Sequence, residues 1–73
     1  MVTQLLYSYA RTFAKWEATK EHSYKKTLGM FRMRLKNEGI MVHSVKDDGE
    51  FYLLELEVNG QSKLERLQKT ANQ

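Results

Sequence analysis

Asn59-Gly60-Gln61-Ser62-Lys63-Leu64-Glu65-Arg66-Leu67 decides how this chain completes its fold. Asn59-Gly60 breaks the extended run before it. Ser62 and Glu65 then stand at the Ser-x-x-Glu spacing of a capping box. The Ser62 hydroxyl can accept from the backbone amide of Glu65, and the Glu65 carboxylate can reach back. Leu64, Leu67 and Ala71 make a thin apolar stripe behind it. The expectation is a short last helix, too short to hold without a docking surface. It serves either as a clip on the core or as a contact in a homodimer.

Working back, residues 40–58 read as a hairpin. Ile40 to Val45 is one strand, Asp47-Asp48-Gly49 is the turn, and Phe51 to Val58 is the second strand. Tyr52, Leu54, Leu56 and Val58 face one way while Glu55 and Glu57 face the other. That alternation suits a sheet packed on helices on one side and wet on the other.

Residues 23–38 form the clearest helix, with Tyr24, Leu28, Phe31 and Leu35 on one face. Gly39 stands where a left-handed C-cap is wanted. Before it, Leu6, Tyr9, Phe13 and Trp16 make a helical face over residues 4–18. A strand over residues 4–14 competes, because Leu5, Tyr7, Tyr9 and Phe13 also fall on alternate positions. No glycine or proline separates residues 4–18 from 23–38, so one helix through 4–38 is also open. Two helices are preferred, since a chain this short gains a core by folding back.

The expected fold is therefore a compact α+β single domain over residues 1–73. Its order is α-α-β-β-α, with a two-stranded antiparallel hairpin packed on helices, and the alternative is β-α-β-β-α. With 73 residues, no cysteine and no proline, the chain has neither a disulfide framework nor a thiolate metal site. No apolar run approaches the length of a membrane span, so no membrane partner is expected. Met1 to Ala10 lack the basic and apolar regions of a secretory signal, so the expected location is cytoplasmic.

Catalytic patterns are missing from the sequence. His22 and His43 lack a metal-ligand spacing. No nucleophile elbow surrounds Ser8, Ser23, Ser44 or Ser62, and there is no phosphate-cradling P-loop. Asp47, Asp48 and Glu50 do not follow a calcium-loop pattern. Glu55 and Glu57 share a strand face but have no partner acid or base in view. The expectation is a non-enzymatic protein with no metal and no cofactor.

The charge points instead to a binding role. The net charge of +3 hides a basic segment, residues 11–36, at +6, followed by an acidic one, residues 37–58, at −5. Such a segment can attract phosphates or an acidic protein surface. On the 23–38 helix, Lys25, Arg32 and Lys36 flank the core side, with Gly29 between them. Lys26 and Met33 point away from it, and Met30 lies nearby.

A basic helix ending Leu35-Lys36-Asn37-Glu38-Gly39-Ile40, then a hairpin turning at Asp47-Asp48-Gly49-Glu50 and returning as Phe51-Tyr52-Leu53-Leu54, resembles the recognition helix and wing of winged helix-turn-helix DNA-binding modules. The resemblance spans about residues 23–58. It implies a helix in the major groove with Lys25, Lys26, Arg32 and Lys36 as contacts, and a wing contact from Lys46. The leading expectation is a small regulatory protein that binds DNA through this helix. The alternative is an adaptor or inhibitor that occupies an acidic surface of a partner protein through Tyr7, Trp16, Met30 and Met33, aromatic and methionine side chains of the kind interfaces use. The direction of Met30 and Met33 separates the two. Burial leaves the helix only its basic flank, whereas joint exposure favours a protein partner.

Overall fold

The computed structural model describes residues 2–69. Two helices, α1 (Val2–Thr19) and α2 (His22–Asn37), precede three strands, β1 (Ile40–Asp48), β2 (Phe51–Val58) and β3 (Gln61–Gln68). The strands form an antiparallel meander in the order β1-β2-β3. The helices lie side by side on one face of it, mainly over β1 and β2.

The order is thus α-α-β-β-β, and the expected last helix is a strand. The reason lies in Asn59 and Gly60, whose φ angles are +50° and +85°. Two consecutive positive φ values make the two-residue turn that matches the twist of a hairpin. The turn sends the chain straight back along β2, with Val58 opposite Gln61 and Tyr52 opposite Leu67. A helix from Ser62 would have left the second edge of β2 unpaired; the strand satisfies it and buries Leu67. The capping box does not form, and Leu64 stands exposed rather than in a helical stripe. Ala71, the third residue of that stripe, lies outside the described residues.

Residues 4–14 are helical, so the β-α-β-β-α alternative is also corrected. The apolar face of α1 runs on past residue 14 and buries Leu6, Tyr9 and Ala10, which a strand could not place together. The break between the helices falls at Lys20, a non-glycine residue at φ +57°. Its amide still donates to Trp16 O at 2.7 Å, and Glu21 is extended beyond it. Two local contacts hold Lys20 there: its ammonium meets Glu17 at 3.0 Å and lies 5.1 Å from the centre of the Trp16 ring.

At the other end of α2, Gly39 has φ +78°, the left-handed cap expected of it. Its amide donates to Lys36 O at 3.0 Å, and its carbonyl accepts from the Asn59 amide at 2.9 Å. The helix end and the β2–β3 turn are thereby stitched together.

One core joins the layers. It consists of Leu6, Tyr9 and Ala10 of α1, Leu28 and Leu35 of α2, Ile40, then Tyr52, Leu54 and Leu56 of β2, and Leu67. Leu35 and Leu54 are the largest fully buried side chains, and each burial contributes about 1.5–3 kcal/mol. Tyr7 fastens the far end of the sheet. Its ring meets Tyr52 edge-on, with centroids 5.9 Å apart, and its hydroxyl donates to Lys69 O at 3.1 Å.

Candidate functional site

The outward face of the helical layer brings the unusual residues together. Lys26, Met30, Met33 and Asn37 recur at spacings of four, three and four, which is one stripe of a helix opposite Leu28 and Leu35. Met30 is 57% exposed and Met33 69%. A helix of a small domain normally turns such side chains inward, because the core is short of apolar surface. Here that inward face is already filled by Leu28, Leu35 and Phe31, so the methionines remain in solvent.

Each methionine is bordered by cations one helical turn away. Lys26 and Arg34 flank Met30, and Lys36 flanks Met33. No acidic residue occurs within α2. Among the described residues, none of its lysines or arginines joins an ion pair. Arg32 is committed elsewhere: its guanidinium donates to the Tyr9 hydroxyl at 3.2 Å. Lys25 leans 6.0 Å from the Trp16 ring centre. The cations free to meet a partner on the outward stripe are therefore Lys26, Arg34 and Lys36.

Beside this stripe runs the seam between α1 and α2. One hollow of about 410 Å³ is lined by Leu5, Ser8, Phe31 and Arg34, among others. A second, of about 360 Å³, is lined by Ser8, Arg11, Lys15, Tyr24 and Phe31. Ser8 and Phe31 belong to both, so the hollows form one shallow groove with an aromatic floor. Arg11, Lys15 and Arg34 give it a basic rim, and Lys15 sits 5.9 Å from the Tyr24 ring centre. Half-burial of Phe31 and the contribution of α1 escaped a reading confined to the wheel of α2. Arg11 and Lys15, one helical turn apart on the polar side of α1, were the available signal.

The remaining expected site residues lie apart from this face. Lys46 pairs with Leu53 on the opposite, outer face of the sheet, so it is not joined to Lys25, Lys26 and Lys36. Tyr7 is half-buried against Tyr52 and Lys69, and Trp16 is half-buried beneath Lys20 and Lys25. Of the aromatic and methionine set, Met30 and Met33 alone share one exposed surface.

The outer sheet face carries a polar cluster. A β-bulge between Val42 and Ser44 inserts His43 into β1. His43 Nε2 lies 3.2 Å from Glu57 Oε1, and Ser44 Oγ donates to Glu55 at 2.6 Å. These are exposed pairs that occupy one another. Among the described residues no three histidines, aspartates or glutamates converge as a metal would require. No described helix is long and apolar enough to cross a membrane. No family model, curated protein or solved structure matches the chain.

Proposed function

We propose that this chain is a protein-binding module, an adaptor or inhibitor, that docks the outward face of α2 on an acidic surface of another protein. The observation that carries the reading is the joint exposure of Met30 and Met33 on a helix without a single acid. Thioether side chains adapt to irregular surfaces, and burying each contributes about 1.5–3 kcal/mol. Lys26, Arg34 and Lys36 around them supply complementarity to carboxylates, which speeds encounter more than it deepens affinity. The groove floored by Phe31 extends the same surface, so a partner helix with acidic flanks and an apolar stripe fits it.

DNA binding by the same helix is the second reading, supported by Lys26 and Lys36, which join no ion pair among the described residues. A phosphate track has no use for two exposed methionines between those lysines, which sets it second.

The test is a displayed-peptide selection against the full chain, beside a titration with labelled random duplex DNA at low and moderate salt. The expected result is enrichment of acidic amphipathic peptides whose binding is lost in the Met30→Ser/Met33→Ser variant. Peptides indifferent to both methionines, or none at all, would overturn the proposal. Salt-sensitive DNA binding, lost in Lys26→Glu/Lys36→Glu and kept in the methionine variant, would put the DNA reading in its place.

A further inference from the structure

β3 is an edge strand, eight residues long, with no bulge and no proline. Such an edge offers a row of unpaired backbone groups to another strand. Which groups point outward follows from the ladder. The Lys69 amide donates to Glu50 O at 2.9 Å, which closes a hydrogen-bonded pair. Such pairs alternate, so Leu67, Glu65, Lys63 and Gln61 also turn their backbone groups toward β2. The amides and carbonyls of Ser62, Leu64 and Arg66 face the open edge. On that strand Leu64 is 68% exposed, a large apolar side chain without cover.

We propose that β3 pairs antiparallel with β3 of a second copy, with Leu64 on the two-fold axis. The charge pattern selects this register. Leu64 faces Leu64 of the second copy as a hydrogen-bonded pair, and Ser62 and Arg66 face one another on either side. Lys63 then stands opposite Glu65 of the second copy, and Glu65 opposite its Lys63. Both are non-hydrogen-bonded pairs, in which side chains come closest. Moving the axis to Glu65 sets two carboxylates face to face, and moving it to Lys63 sets two ammoniums face to face. Within one chain Lys63 and Glu65 touch only loosely, at 3.7 Å, so both remain available.

The surroundings permit the approach. The helices sit mainly over β1 and β2, leaving Gln61 and Lys63 exposed on the helical side of β3. The opposite edge of the sheet is a poorer template, since the bulge at His43 interrupts β1. The product is a continuous six-stranded sheet with both helical layers on the same side.

The experiment is sedimentation of the full chain from micromolar to millimolar concentration, with charge-reversed variants. The wild type should pass from 8.6 kDa to twice that mass. Lys63→Glu and Glu65→Lys should each weaken the dimer on the order of tenfold or more, because each turns two attractive cross-strand pairs repulsive. Mixing the two variants should restore association as a heterodimer, and the double swap Lys63→Glu/Glu65→Lys should restore the homodimer. A wild type that stays monomeric at millimolar concentration overturns the proposal, as does a dimer unmoved by either variant or a mixture no better than its components. Hydrogen exchange of the wild type reads the same edge without substitution. The amides of Ser62, Leu64 and Arg66 should gain protection as concentration rises, and unchanged exchange refutes the pairing.

Discussion

Gly39→Ala should unfold this protein at distinctly lower denaturant, while the same substitution at Gly29 should do the reverse. At Gly39 the backbone is left-handed, φ +78°, and a Cβ there would run into the Asn59 side-chain oxygen. The conformation alone costs an alanine about 1–2 kcal/mol. A stiffer unfolded chain returns about 0.4–1 kcal/mol. Displacing Asn59 from its rotamer adds about 0.5–1.5 kcal/mol. The net loss is about 1.5 kcal/mol. At Gly29, in the middle of α2, a Cβ meets nothing within 4 Å, so alanine gains its helix preference, about 0.5–1 kcal/mol. Urea unfolding followed by Trp16 fluorescence and far-ultraviolet dichroism reads both. With a slope of about 1 kcal/mol per molar for a domain of this size, the midpoint should fall by about 1.5 M for Gly39→Ala. It should rise by about 0.5–1 M for Gly29→Ala. Adding Asn59→Gly to Gly39→Ala removes the obstacle, so the two changes should cost less together than apart. A Gly39→Ala midpoint equal to that of the wild type, or strict additivity with Asn59→Gly, would refute the reasoning.

Two further outcomes follow from local geometry. Lys20→Gly should leave stability within about 0.5 kcal/mol of the wild type, since relief of a left-handed lysine is offset by a looser unfolded chain and by loss of both the exposed ion pair with Glu17 and the contact with the Trp16 ring; Lys20→Val should lower it by about 1 kcal/mol or more, and thermal melts of the two variants check the order. A hydrogen bond to Asp47 raises the pKa of Lys69 above its ordinary value, against a smaller lowering by desolvation, and the Asp47 charge adds to the rise. A raised lysine contributes stability below its unfolded pKa and loses it as pH climbs through the folded one. The wild type should therefore lose its advantage over Lys69→Met in strongly alkaline solution, as measured by urea midpoints at neutral and high pH.

The helical hairpin, the first strand pair and the Gly39 cap were legible because periodicity and local backbone demand agree there. The third strand was not, because its residues carry no alternation. The helices stop short of β3, so Gln61 and Lys63 on its inner side are exposed, and Leu67 is its one buried side chain. Leu64 and Leu67 at a spacing of three then imitate a helical stripe, and Ser62 with Glu65 imitates a cap. The contrary signal was Asn59-Gly60, a dipeptide that serves hairpins better than helix starts. Of the site, the outward direction of Met33 followed from the wheel of α2. The fate of the cations did not: Arg32 reaches across to Tyr9 and Lys25 to Trp16, contacts that depend on where α1 lies. The groove floor at Phe31 is likewise a product of two helices.

Because the meander follows chain order, β3 is the last of these three strands that a growing chain can add. Until it does, β2 shows solvent one complete side of Phe51-Tyr52-Leu53-Leu54-Glu55-Leu56-Glu57-Val58, a segment of high β-propensity and the sort that seeds cross-β aggregates. The strand that closes this side is mostly polar, and its own far border bears Lys63, Glu65 and Arg66. β3 therefore works as a gatekeeper for the sheet, replacing a border that accepts nearly any strand with one whose charges reject most of them.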